Sequence, residues 1–69
     1  MAVKCGQHVE ILGGMSEFVG KTGEVVDVEN YGGSGGPYFR VLLDEPVYVE
    51  GVGEVTDDLW QDQWLRRVL

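Results

Sequence analysis

Three short runs of this chain alternate apolar and polar residues with a period of two, and each gives way to a glycine or a proline. Val9 and Ile11 alternate with His8 and Glu10 ahead of Gly13-Gly14. Thr22 to Glu29 carries Val25, Val26 and Val28 ahead of a glycine-rich stretch, and Phe39, Val41 and Leu43 alternate with Tyr38, Arg40 and Leu42 ahead of Asp44-Glu45-Pro46. Successive side chains of a strand leave opposite faces, so this spacing predicts half-buried strands that bury one face. No heptad pattern competes with it. In the first run Val9 and Ile11 face the core; in the third, Phe39, Val41 and Leu43 do. In the middle run the more apolar face carries Val26 and Val28, which turns Val25 outward unless a bulge near Gly23 reverses the sense.

The intervening segments complete an all-β reading of one domain over residues 1–69. Residues 1–6 form a lead-in. Met15 to Lys21 is a loop that folds Phe18 or Val19 back over the end of the sheet. Residues 30–37, with four glycines and a serine, make a flexible hairpin loop between the second and third strands. Its run into Pro37 and a strand, with no lysine following, removes the helix N-terminus that a phosphate cradle needs. Asp44-Glu45-Pro46 is expected to break the third strand, because proline cannot donate to a central ladder. Val47 to Glu54 reads as an irregular strand or a short hairpin, with Gly51 and Gly53 weakening it. Strand character resumes at Leu59-Trp60, Asp62-Gln63-Trp64 suits one tight helical turn, and Leu65 to Leu69 suits a final short strand that places Leu65 in the core.

Size and charge narrow the function. A chain of 69 residues buries only ~60% of its unfolded surface, and such domains often lean on disulfides, metals or partner chains. Cys5 is the only cysteine and His8 the only histidine, so neither an internal disulfide nor a zinc set is available. No cofactor is expected. Self-association is the remaining device, and a homo-oligomer or a protein partner is the expectation. The net charge of −7, from twelve acids against five bases, opposes binding to polyanions, whose affinity comes largely from Lys and Arg. No apolar run approaches the ~18 residues of a membrane helix, and no leader peptide is read, so the expected setting is cytoplasmic, which also suits an unpaired thiol.

Two segments carry a resemblance. Gly6-Gln7-His8-Val9-Glu10-Ile11 together with Val19-Gly20-Lys21-Thr22-Gly23-Glu24-Val25-Val26 resembles the KOW motif, with Gly20 and Gly23 at the tight turn into the second strand. The ending Asp62-Gln63-Trp64-Leu65-Arg66-Arg67-Val68 looks like the close of SH3-like barrels, where a helical turn delivers a leucine to the core. The resemblance implies an SH3-like antiparallel barrel of about five strands with a short 3-10 turn before the last. It is similar in outline to small barrel proteins of phages and integron cassettes. KOW-type barrels contact RNA or other proteins, which makes RNA binding one implied function. Fold alone does not carry function.

The candidate chemistry is sparse. Glu54, Asp57, Asp58 and Asp62 are near in sequence, but adjacent Asp57 and Asp58 leave a strand on opposite sides, and a solvated turn accounts for the group. Cys5 and His8, three apart, fall on opposite faces if both are extended. Lys21 is the only basic residue in the motif's turn, and Arg40, Arg66 and Arg67 offer at most a small basic spot among many acids. The expected function is therefore a non-catalytic protein-interaction or self-associating module. Its expected contact residues are Val25, Tyr38, Leu42, Trp60 and Trp64, with one tryptophan capping the core and the other at the contact surface, or alternatively both in the core. The alternatives are a KOW-like RNA-binding module and an oligomeric enzyme whose site forms between subunits.

Overall fold

Strand pairing decides which face of each run is buried. The computed structural model describes residues 3–30 and 36–68; of the expected glycine-rich loop, 31–35 lie outside the described residues. Among the described residues there are five strands, β1 (His8–Ile11), β2 (Thr22–Glu29), β3 (Tyr38–Val49), β4 (Gly53–Gln61) and β5 (Leu65–Arg67), with a 3-10 turn at Asp62–Trp64 between the last two. All neighbours are antiparallel, in one sheet ordered β4-β3-β2-β1-β5. The all-β expectation, the strand number and the 3-10 turn before the last strand are thereby met.

Strand β2 departs from the expected face. Val25 lies directly opposite Val41 and is fully buried, whereas Val26 and Val28 are 44% and 42% exposed. The cause is a bulge. Register with β3 shifts between Val25 and Asp27, so Val26 is an extra residue and the phase of alternation changes there. Strict alternation, applied through the whole run, selects the wrong valines. The bulge falls at 25–27 and not near Gly23. Gly23 has its own reason: opposite Val9 and Leu43, it is buried where a Cβ would lie 2.4 Å from the Leu42 carbonyl oxygen. The two backbones meet too closely for any side chain. Gly20 answers a different need, a φ of +88° with open space around it. Of the two, only Gly20 lies in the turn.

Strand β3 runs through Asp44-Glu45-Pro46 instead of breaking there. Its register with β4 jumps between Leu42 and Val47, so the proline sits where ladder bonds to β4 are already interrupted. That is the setting in which a strand tolerates proline. Beyond it, Val47 pairs with Val55 and Val49 with Gly53, which makes 47–55 a hairpin. The turn is closed by Val52 N–H donating to the Val49 carbonyl at 3.0 Å, with Gly51 at φ +84° and Gly53 at φ +104°.

The core collects one face of the sheet. Val9 and Ile11 of β1, Val25, then Phe39, Val41, Leu43, Val47 and Val49 of β3, Trp60 and Leu65 are all buried, each large side chain contributing ~1.5–3 kcal/mol. Two members come from outside the strands. Phe18, not Val19, folds in from the loop after β1, and Val3 is buried in what the sequence suggests is only a lead-in. Val3 is tied down by its N–H to Asp62 Oδ1 at 3.1 Å, and Gly6 N–H donates to the Val25 carbonyl at 2.7 Å. The last strand is shorter than expected, although Val68 N–H still reaches the His8 carbonyl at 2.9 Å.

Candidate functional site: an aromatic groove

The loop between β1 and β2 builds one wall of a groove. Ile11 and Gly20–Lys21 clasp its base through two backbone hydrogen bonds of 2.9 Å, and Phe18 N–H to the Met15 carbonyl at 3.0 Å makes the turn that swings Phe18 inward. The Phe18 ring meets Trp60 edge-on, with centroids 5.3 Å apart at 78°. The opposite wall is the end of β4 and the 3-10 turn. Leu12 N–H donates to the Trp64 carbonyl at 2.7 Å, which draws the Trp64 ring onto Gly13. A Cβ at Gly13 would lie 2.2 Å from that ring, and one at Gly14 would approach Trp60 Nε1 at 3.4 Å. Gly13 therefore does more than end a strand; it makes room for the Trp64 indole, while Gly14 supplies a φ of +94° in ordinary contact with Trp60.

The resulting cavity is about 260 Å³, lined by Tyr38, Trp60, Trp64, Phe18, Met15 and Asp58 among others. Trp60 forms its floor and is 6% exposed, while Trp64 is 40% exposed. One tryptophan in the core and one at the surface is the first of the two arrangements expected from the sequence. Of the five expected contact residues, Tyr38, Trp60 and Trp64 converge here. Val25 does not, because it is fully buried opposite Val41. Leu42 is exposed but lies between Glu24 and Asp57 on neighbouring strands, away from the groove lining.

A second, polar cluster has no counterpart in the sequence reading. His8 of β1 donates from Nε2 to Asp44 Oδ2 at 2.7 Å, and the Thr22 hydroxyl of β2 donates to the same oxygen at 2.6 Å. It borders a cavity of about 210 Å³ that also has Lys21 and Glu45 in its lining. The arrangement is not a nucleophile relay. Both donors point at one carboxylate oxygen, so the hydroxyl gives its proton to Asp44 and not to the imidazole. Asp44 is instead held below its ordinary value of 3.8, first by the Thr22 hydroxyl and then by His8, against a partial desolvation cost.

That depression sets a pH dependence. A carboxyl with a lowered folded-state pKa stabilises the fold while it is charged, and this contribution is complete above the unfolded value near 3.8. It is lost as pH falls through the lower folded value. Asp44→Asn is expected to flatten the stability curve between that lowered folded value and about 3.8, measured by urea denaturation at stepped pH. Parallel curves for variant and parent would mean that the cluster contributes nothing.

The carboxylates near the end of the chain are dispersed along β4 and the 3-10 turn, not gathered in a solvated turn. Asp57 pairs with Arg40 at 2.7 Å, Asp62 accepts the Val3 N–H, Glu54 lies opposite Tyr48, and Asp58 enters the groove. Arg40 also pairs with Glu29 at 2.8 Å, which together with Asp57 raises its pKa further. Arg66 pairs with Glu10 across β1 and β5. Two of the three arginines of the expected basic spot are thus neutralised in place. Cys5 is exposed and unpaired. Among the described residues no three His, Cys, Asp or Glu side chains are grouped to hold a metal, and no helix is long and apolar enough to cross a membrane. Comparison with protein-family models, with curated proteins and with solved structures finds no match to this chain.

Proposed function

We propose that this chain is a non-catalytic protein-interaction module of the SH3-like kind, whose contact surface is the groove between the β1–β2 loop and the 3-10 turn. The observation that carries this reading is the convergence of Tyr38 with the sequence-distant Trp60 and Trp64 on one cavity in which Trp64 stays 40% exposed. Tryptophan and tyrosine dominate binding energy where they can be desolvated by a partner, and a half-exposed indole beside apolar walls is such a place. The sheet order and the 3-10 turn before β5 support the SH3-like reading of the architecture.

RNA binding, the function implied by the KOW-like segment, draws no comparable support. The groove lining holds no lysine or arginine among the described residues, and stacking platforms for single strands work alongside a cationic groove.

The test is selection from a random peptide library with counter-selection on a Trp64→Ala variant. Enriched peptides are expected to lose at least about tenfold in affinity for Trp64→Ala. Tyr38→Ala, on a strand instead of the turn, should weaken the same peptides and guards against a loss caused by misfolding. Failure of the wild-type chain to enrich any peptide over the counter-selection would overturn the reading.

A further inference from the structure

Strand β4 stands at one end of the sheet, with β3 as its strand neighbour. An end strand directs half of its N–H and C=O groups away from the sheet, where another chain can pair with them. Among the described residues, no backbone hydrogen bond joins residues 53–60 to a segment other than β3. The ladder with β3 is interrupted between Leu42 and Val47, and it is regular from Asp57 to Gln61, opposite Leu42 to Tyr38. That regular stretch holds neither proline nor lysine, the residues that commonly blunt a sheet edge. Leu59 is its middle residue. The Leu59 N–H is taken by the preceding side chain, donating to Asp58 Oδ1 at 2.8 Å.

We propose that this bond is an autoinhibitory contact: Asp58 withdraws the central donor of the β4 edge and so keeps a second copy of the chain from adding its own β4. A second copy is the occupant that the edge otherwise suits. In an antiparallel, two-fold pairing centred on Leu59, the two Leu59 residues would exchange N–H and C=O bonds. Asp58 would then stand opposite the second copy's Trp60, and Asp57 opposite its Gln61. No acid meets an acid directly in that register, so cross-strand charge does not by itself forbid it. Loss of the Leu59 donor does, because the two-fold axis repeats the defect and removes both central bonds at once. Asp58 is exposed, so its carboxylate stays hydrated while it holds the donor. A side chain bonded to its neighbour's backbone is a local alternative to a ladder.

The same device recurs at a second open stretch of the sheet. Strand β1 pairs with β2 only as far as Glu24, and Val25 is met by Gly6 and Gln7. Just beyond, Asp27 Oδ1 accepts the Val28 N–H at 2.8 Å. Both places combine a strand lacking one neighbour with an aspartate closing the N–H that follows it.

Sedimentation over a concentration series and amide hydrogen exchange test the assignment on the intact chain. Asp58→Ala removes the acceptor, whereas Asp58→Asn keeps an oxygen in its place and removes only the charge. Glu54→Ala removes an exposed acid from the same strand outside residues 57–61. Asp58→Ala is expected to self-associate at least about tenfold more tightly than the parent, through two regained backbone bonds, one from each copy. Its Leu59 amide should exchange faster than the parent's when dilute and become protected as the copies pair. Asp58→Asn and Glu54→Ala are expected to stay within about threefold of the parent. An Asp58→Ala chain that associates no more than the parent would overturn the assignment. So would equal association in Asp58→Asn or Glu54→Ala, which would make charge the guard, or association that leaves the Leu59 amide unprotected, which would place the contact elsewhere. None of these outcomes depends on the groove, so peptide binding there stands or falls separately.

Discussion

Gly23→Ala is expected to cost this protein a large part of its stability, although it adds a single methyl group. The new Cβ would stand 2.4 Å from the Leu42 carbonyl oxygen and 2.7 Å from Val41 Cγ1. Val41 Cγ1 is a side-chain atom and can shift slightly. The carbonyl is backbone, in the stretch where Glu24 pairs with Leu42 and Val25 with Val41, so relief requires opening the ladder between β2 and β3. Overpacking of this kind costs ~1–3 kcal/mol and sometimes more. A domain of 69 residues holds roughly 3–10 kcal/mol in total, at ~0.05–0.15 kcal/mol per residue. A loss near 3 kcal/mol corresponds to a fall in Tm of roughly 12–24 °C. Gly20→Ala is the control: the same methyl meets nothing within 4 Å, and the cost there is only the ~1–2 kcal/mol of holding alanine at φ +88°. Urea and thermal denaturation of both variants measure the difference. A Gly23→Ala protein within about 0.5 kcal/mol of the parent would mean that β2 and β3 do not approach as described.

Trp60→Ala carries the second large effect, and it links the fold to the groove. Trp60 is 6% exposed, stands opposite Phe39 and packs in a T-shaped pair with Phe18, ring centroids 5.3 Å apart. Removing a buried aromatic of this kind costs ~3–5 kcal/mol, which is comparable to the whole margin of the domain. The loss also frees Phe18, the residue that pins the β1–β2 loop, so the groove loses its floor and one wall together. Near-ultraviolet circular dichroism should collapse with the melting temperature. Trp64→Ala is expected to be milder, about 1–2 kcal/mol, since the ring is 40% exposed and rests mainly on the Gly13 backbone. If the order is reversed, with Trp64→Ala the more damaging, then Trp64 belongs to the core and the interaction surface lies elsewhere.

The contrast between these indoles shows what could be read from the chain. Tyr38, Trp60 and Trp64 were among the expected contact residues, and the 3-10 turn that carries Trp64 was legible in Asp62-Gln63-Trp64. Their convergence was not, because it depends on the Gly13-Gly14 backbone lying under two rings that arrive from the other end of the chain. The same limit hid the His8–Thr22–Asp44 cluster, whose members are 36 and 22 residues from their shared carboxylate and meet only through the registers of β1, β2 and β3. It also placed Val25 on the surface.

Alternation is a local consequence of the pleat, so the buried faces of β1 and of the first half of β3 follow directly from Val9 and Ile11 and from Phe39, Val41 and Leu43. Charge is likewise written in the chain, and with it the poor footing for a polyanion. A bulge has no such local signature. Whether Val25 or Val26 turns inward depends on the partner strand, where Val41 fills the space opposite Val25 and leaves Val26 as the extra residue. Pro46 survives inside β3 for a related reason, since the ladder with β4 is interrupted around it. Local spacing thus determined that strands form and roughly where, while the phase within them and the meeting of distant side chains were decided by tertiary contacts, which no window of neighbouring residues contains.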